Sequence, residues 1–482
     1  MSDYDVYRDE YLRKQVADAH RPIDLFNNEY DAFVCPSCSH QLSLTQSRCI
    51  ENKYEKSLVL SKCAECHKQL YFKLPEIKKK RIYLDQSILS DLYDVEVLST
   101  FKIDSNDWRE RLLTKIKLAK RLQKASFIIS DIHVLETVPL PDQAKKAVLW
   151  TFTNALADGN IAGDMNDAIE YDLQQLLGKT SLQSANKSPL NCYMNVEVDS
   201  WSIRSPILRT NSWRLRLNDP WIEFRKASQE NFTHILETQR QQVSPDTTLG
   251  RCIEHLKELY LKDVLAAVNY CQILTSRQPK VFELPPKNGY ASLIFQATRN
   301  YQDEPEQSLA LNKLDYQIKL CGLDAFPSLK LQAILEAEVL FKWIQGLRTN
   351  PKLFNANYGA SKIMDISHLA VFLPTVDVLT LDRDTFNRCQ ISEIKAEIDK
   401  HSTKLLRTTE EEQGLENWLD ELLAAPETDE FRCARRLFFG RNLVEEKLDD
   451  EKMYREVYEL VTEKFKNVSP SKAVLLNPTR SD

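Results

Sequence analysis

The chain has 482 residues, 43% of them apolar, a net charge of −6 and a pI near 5.9. That length can bury a core in roughly two to four domains, and the acidic balance excludes a uniformly basic nucleic-acid binder while leaving room for local basic patches. The polar start MSDYDVYRDEYLRKQ is neither a signal nor a transit peptide, and no run reaches the ~18 apolar residues of a membrane helix, so no membrane partner is expected.

Residues 1–34 read as a polar arm with some helical periodicity. Residues 35–74 form a Cys-bounded module in which LSL, SLVLS and LYFKL are β-like. A basic hinge follows at Lys78, Lys79, Lys80 and Arg81. The segment IYL at 82–84 reads as a buried strand running into Asp85, and QSILSDLYDVEVL starts a helix. The spacing of Leu112, Leu113, Ile116, Ala119 and Leu122 predicts an amphipathic helix over 108–124. SFIIS at 126–130 is a second buried strand, followed by a short helix that carries Glu136 and ends at Pro139 and Pro141.

Residues 142–325 are predicted to be mostly helical, with polar loops near 181–191, 240–250 and 299–308, and LKLQAILEAEVLFKWIQGLR is a helix with a wide apolar face. In KIMDISHLAVFLPTVDVLTLDRDT, Asp365 opens an apolar helix; after Pro374 an apolar strand at 376–381 ends on Asp382 and Asp384. Residues 391–482 are charged and read as helical, with breaks at Pro426 and Pro470. Two strand–helix units, a long helical stretch and a helix–strand–acid unit make an α/β sheet interrupted by an insertion.

Eleven Cys, seven of them scattered singly, do not make a disulfide framework and point to a reducing setting, cytoplasm or nucleus, of which the cytoplasm is expected. The other four stand as Cys35-Pro-Ser-Cys38, a spacer of twenty-four residues, and Cys63-Ala-Glu-Cys66. Two short-spaced thiolate pairs make a closed tetrahedral zinc site, and the β-rich spacer makes it a zinc ribbon; His40 and His67 are not needed. A thioredoxin-like reading of Cys63 and Cys66 requires a helix N-terminus in a βαβ unit, and this context is hairpin-like. Residues 35–81 hold ten Lys and Arg against four Glu, a local excess of six positive charges. That contrast favours nucleic-acid contact over the alternative, a zinc-stapled miniature domain packed on the core.

Asp85, Glu136, Asp365 and Asp382 each fall at a strand end or just inside a following helix. Groups at the carboxyl ends of strands face the ligand crevice of an open α/β sheet. Four carboxylates gathered there persist with cations or by protonation, and hard divalent ions such as Mg²⁺ or Mn²⁺ prefer oxygen ligands. Singly, each acid has a plainer reading: Asp85 and Asp365 as helix N-caps, Asp382 and Asp384 as turn residues, Glu136 on a surface helix.

The segments RIYLDQSILSDL at 81–92, SFIISDIHVLET at 126–137 and MDISHLAVFLPTVDVLTLDRDTFNRC at 364–389 resemble the PIN-domain proteins, of the nuclease superfamily that also includes the flap endonucleases. The resemblance implies a PIN-like parallel-sheet core in two parts, 80–140 and 329–390, around a helical insertion at 141–328. The ribbon at 35–74 precedes the core and a helical C-terminal region at 391–482 follows it. It implies that Asp85, Glu136, Asp365 and Asp382 hold the catalytic Mg²⁺ or Mn²⁺, with Asp384 replacing or supporting Asp382. Asp131 is a lesser alternative to Glu136, Ser87 hydrogen-bonds near the site, and Asp377, at the N-terminal end of its strand, is a bystander. The activity implied is metal-dependent endonucleolytic cleavage, of RNA rather than DNA, leaving 5′-phosphates. The departure from the family is the 228 residues between Glu136 and Asp365, an insertion that could act as a lid, a substrate clamp or a dock for a protein partner.

Residues 201–226 hold three of the seven Trp, six basic residues and two acids. Aromatics interleaved with Arg214 and Arg216 suit base stacking and phosphate contact on a single strand; the competing reading, slightly favoured, is that these Trp are core. Lys78 to Arg81 could touch a phosphate near Asp85. Two rivals to an RNA nuclease stay open: a structure-specific DNA nuclease, and a non-catalytic nucleic-acid-binding or scaffold protein with a degenerate PIN core.

Overall fold

The computed structural model describes residues 19–27, 32–42, 48–50, 58–98, 108–138, 140, 142–157, 161–178, 201, 219–276, 289–298, 304–349, 362–407 and 414–439. The chain is mixed α/β and mostly helical. At its N-terminal side, β1 (Phe26–Asn27) pairs antiparallel with β2 (Ala32–Phe33), and β3 (Arg48–Ile50), β4 (Leu58–Lys62) and β5 (Gln69–Lys73) form an antiparallel sheet of three. Part of the predicted polar arm belongs to this module: His20 bonds across to the backbone of Tyr71 and Lys73, and Leu25 and Phe33 are buried with Cys35 and Phe72. The C-terminal helix Asp429–Phe439 closes the same small core through Cys433, Ala434 and Leu437.

The central sheet is parallel throughout. Its strands are β6 (Lys80–Tyr83), β7 (Ala125–Ser130), β8 (Ile161–Ala162), β9 (Val378–Leu381) and β10 (Lys404–Arg407), in the order β10-β9-β6-β7-β8. A parallel sheet needs cover on both faces, and strand alternation supplies it. Ile82, Phe127, Val378 and Leu406 point to one face, packed against α1 (Gln86–Leu98), α2 (Trp108–Arg121), α4 (Gln143–Leu156) and α14 (Leu415–Ala424). Tyr83, Ile128 and Leu379 point to the other, where α3 (Asp131–Thr137) and α5 (Met165–Leu177) lie. The same large core includes α6 (Asp219–Gln242), α7 (Leu249–Ser276), α8 (Gly289–Thr298), α9 (Glu304–Cys321), α10 (Pro327–Thr349), α11 (Ile363–Phe372), α12 (Arg383–Cys389) and α13 (Ser392–Ile398). Asp429–Phe439, the last helix among the described residues, is α15.

Three boundaries differ from the sequence reading, each for a physical reason. The strand expected at 376–381 starts at Val378, because the amides of Thr375 and Val376 turn back to the Phe372 carbonyl, at 2.9 and 3.0 Å, and finish α11. β10 falls in a segment read as helical; KLLR between charged flanks has little strand pattern of its own and is fixed by four-residue pairing with β9. The first part of the expected insertion, α4 and β8, packs on the sheet itself, and the helices from α5 to α9 fill one flank. No helix among the described residues is long and apolar enough to cross a membrane.

Candidate metal centres

The two CxxC turns of the N-terminal module have the same hydrogen bonding. The Cys35 amide donates to the His40 carbonyl at 2.8 Å and the Ser39 amide to the Cys35 carbonyl at 2.8 Å. In the second turn, Cys63 donates to Lys68 and His67 to Cys63, both at 3.0 Å. Ser39 and His67, each just after the second cysteine, take φ of 58° and 57°, and this left-handed step turns the chain under its sulfurs. The turns face one another, with Cys35 Sγ 3.7 Å from Cys66 Sγ and Cys38 Sγ 3.6 Å from Cys63 Sγ. All four sulfurs lie within 4.8 Å of one another. Four Zn–S bonds of about 2.3 Å in a tetrahedron set sulfurs roughly 3.8 Å apart, so the cluster could hold a structural metal such as zinc, with every coordination position filled by protein. Trp201 is buried against this module: its indole nitrogen donates to the Pro75 carbonyl at 3.0 Å, and its ring lies 5.1 Å from Phe431 and 5.4 Å from Phe438.

The acids gather at the opposite kind of place, the carboxyl ends of the parallel strands. From β6 the chain runs outward through β7 and β8; it then returns to β9, on the other side of β6, and runs outward again to β10. The order therefore reverses between β6 and β9, and the crevice outside such a switch point is where open α/β sheets bind ligands. Asp85 leaves β6 there and Asp382 leaves β9. Thr380 ties the two strand ends together: its Oγ1 accepts from the Asp85 amide at 2.8 Å and donates to the Tyr83 carbonyl at 3.4 Å.

Asp85 and Asp382 both cap the helices that follow them. The Asp85 Oδ2 accepts from the Ser87 amide at 3.0 Å and from the Ser87 hydroxyl, as the sequence reading of Ser87 anticipated. Asp382 Oδ1 accepts from the Thr385 amide at 2.6 Å. The N-cap reading and the site reading are thus compatible, since each cap uses one carboxylate oxygen. Asp365 is not a cap; it sits in the first turn of α11, after Lys362. Glu136 lies in the last turn of α3, which is anchored by a capping box: Ser130 Oγ accepts from the Ile132 amide and His133 Nδ1 accepts from the Ser130 amide.

The four acids act on one another electrostatically. Burial pushes the Glu136 carboxyl up to about 8, and the charges of Asp85, Asp365 and Asp382 push the same way. Asp365 is raised to about 6 by burial, with Asp382 and Asp85 adding to it and Arg388 opposing. Asp85 is raised by burial and by Asp382, against the bonds from Ser87. Each pair among the four therefore repels. The partly offsetting cations are Arg388, whose Nη2 is 4.0 Å from Asp365, Lys362, 3.9 Å from Asp365, and Arg225, which reaches the Leu135 carbonyl at 3.0 Å. Glu136 Oε2 is buried with no hydrogen-bond partner, as are Nε and Nη2 of Arg388. Among the described residues only the cysteines bring three or more ligand atoms close enough to hold one ion directly; the acids stand wider. That spacing and an all-oxygen donor set fit a hydrated hard cation, which keeps several of its waters.

The remaining candidates fall elsewhere. Asp384 is exposed and salt-bridged to Lys362 at 2.7 Å. Asp131 opens α3, and its charge helps to raise the Asp167 carboxyl. Asp377 is at the amino end of β9, bound to Lys80 Nζ and to the Arg81 amide, both at 2.9 Å. Lys78, Lys79, Lys80 and Arg81 therefore lie at the sheet edge opposite Asp85, with Lys79 itself buried. Arg214 and Arg216 lie outside the described residues. Sequence reasoning missed His368 and Arg388. His368 follows Asp365 by three positions on one helix, a spacing that puts both on one face; Arg388 gave no such signal. No family model, no curated protein and no solved structure matches this chain.

Proposed function

We propose that this chain is a metal-dependent endonuclease of PIN-like type that hydrolyses phosphodiester bonds in RNA. One observation carries the reading: Asp85 and Asp382 flank the switch point of the sheet, Glu136 and Asp365 join them from α3 and α11, and all four repel one another at half-buried positions. Mg²⁺ or Mn²⁺, when bound, supplies the positive charge that draws in a phosphate, acidifies water and stabilises the departing 3′-oxygen. The chain's own residues hold and orient. Asp85 and Asp382 are fixed by their caps and offer the oxygen that the cap leaves free. Thr380 sets the separation of the two strand ends. Arg388 and Lys362 keep Asp365 charged. Products would carry 5′-phosphate. RNA is the polymer that the family resemblance points to, and the ribbon would serve as a metal-stapled module beside the catalytic core.

The test is cleavage of labelled single-stranded RNA and DNA by the purified protein, with Mn²⁺ or EDTA, beside Asp85→Asn and Asp382→Asn. Wild type should cut RNA only with metal, and each variant should be roughly a hundredfold slower or worse, the loss of several kcal/mol of transition-state stabilisation. Equal rates in wild type and variants would remove these acids from the active site. Cutting of DNA alone would change the polymer. Binding of RNA without any cleavage would favour the non-catalytic scaffold.

A further inference from the structure

Two buried polar atoms face each other beside the acidic crevice. Glu136 Oε2 and His368 Nε2 are both cut off from solvent, and neither has a hydrogen-bond partner. They are 4.0 Å apart. Nearly all buried polar atoms in folded proteins are paired, and leaving one unpaired costs about 1–3 kcal/mol. Two such atoms side by side are roughly one ångström short of a hydrogen bond, and closing that gap satisfies both at once.

The surroundings leave His368 little else to bond. Its ring is edge-on to Tyr83 at 5.1 Å and lies 5.6 Å from the ring of His133. The polar atoms of those two neighbours are already engaged. The Tyr83 hydroxyl pairs with Ser130 Oγ at 2.8 Å, His133 Nδ1 accepts from the Ser130 amide at 3.0 Å, and His133 Nε2 donates to the Leu84 carbonyl at 2.8 Å. His133 is thus locked as a strut between the ends of β6 and β7, whereas His368 is held in place with its outward nitrogen unspent. His368 shares α11 with Asp365, so the helix that presents one acid also presents a donor to another. An apolar side chain would fill this volume equally well, and a histidine there needs a reason beyond packing.

We infer that His368 is the positioning residue for Glu136, its Nε2–H donating to Glu136 Oε2 when a divalent cation enters, so that the other carboxylate oxygen is held toward the ion. This rests on the metal-dependent reading above. Groups that hydrogen-bond a ligating side chain from behind typically change metal affinity by about 10–100-fold when removed. Hence the ion-bound state should be weakened without His368 even though it never touches the ion.

Mn²⁺ affinity, read from the electron paramagnetic resonance of free Mn²⁺, tests this in the full chain alongside metal-free melting. His368→Leu should bind Mn²⁺ roughly 10–100-fold more weakly, whereas His368→Gln, which keeps an N–H donor, should stay within a few-fold of wild type. A His368→Leu protein that melts differently but binds Mn²⁺ as wild type does would reduce His368 to packing and leave the acidic site standing. No Mn²⁺ binding by wild type would overturn both. Should His368→Leu not fold, the wild type labelled with ¹⁵N-histidine decides. On adding Mg²⁺ the His368 Nε2–H should move downfield and exchange more slowly, and an unchanged resonance would sink the inference.

Discussion

In the N-terminal module four sulfurs stand with cross-pairs 3.6 and 3.7 Å apart, brought there by two turns of like hydrogen bonding. In the crevice four carboxylates, from Asp85 to Asp382, are delivered by two strand ends and two helices and push one another's protons on. The first set is complete in itself, with no position left for a substrate. The second is incomplete: it holds charge apart, spends half of two carboxylates on helix caps, and leaves buried atoms of Glu136, His368 and Arg388 without hydrogen-bond partners. A site that staples a fold can be satisfied by its own ligands. The crevice keeps part of its bonding capacity unspent, at a cost in stability, as the proposed role in receiving an ion and a phosphate would require.

Removing one ligand should therefore act in opposite directions in the two regions. Cys35→Ser should release the metal from the module; structural zinc sites carry on the order of 10 kcal/mol of apparent binding energy. Metal analysis should show zinc lost, and proteolysis should open the chain before residue 78. Retained metal and unchanged protection would break the closed four-thiolate assignment.

Asp172, on α5 and outside both regions, shows what burial alone does. Its carboxyl is pushed up to about 8 by desolvation and its Oδ2 has no partner; Glu336 is raised to about 7 by burial despite bonds from Tyr260 and Gln332. Both groups keep their proton when folded and lose it near pH 4 when unfolded, so they make stability fall as pH rises from about 4 to 8. Each contributes up to about 1.4 kcal/mol per pH unit across its window. Asp172→Asn should flatten the change in urea midpoint between pH 5 and 7.5. An unaltered slope would mean that Asp172 titrates normally.

Glu136→Gln should stabilise the metal-free protein, by about 1–3 kcal/mol at neutral pH, because it removes a buried acid that three neighbours repel. Urea unfolding in EDTA reads this; a loss of stability would show that the crevice is not strained by its own charge. The smallest effect belongs to Asp377→Asn. Its salt bridge with Lys80 is partly exposed, so stability should change by less than about 1 kcal/mol, and cleavage should be unaffected because the residue stands at the far edge of the sheet. A large drop in cleavage would place the site at the wrong end of the strands.

Much of this was readable from local pattern. The CxxC pairs, the apolar runs into Asp85 and Asp382 and the helix from Gln86 are all short-range consequences of spacing; the bond from Ser87 was implied by the family resemblance. Other features were not, because they depend on partners far along the chain. The basic run at 78–81 is only four to seven residues from Asp85, yet it lies at the amino end of β6 and Asp85 follows the carboxyl end: about 3.3 Å per residue carries Asp85 to the other end of the strand. Burial of Trp201 agrees with the slightly favoured core reading of its segment, but its partners Pro75, Phe431 and Phe438 lie far along the chain. KLLR becomes a strand only because β9 offers it an edge.

The sequence by itself determined the chemistry of each candidate set: thiolates in closely spaced pairs, carboxylates at the ends of apolar strands. It did so because a two-residue turn and a strand end are set by nearest neighbours. Only the tertiary structure decided which acids share a crevice, that β6 and β9 meet at a reversal of strand order, and that His368 and Arg388 stand behind the acids with hydrogen bonds still to make. Those outcomes follow from packing two faces of one sheet, which brings together residues some three hundred positions apart.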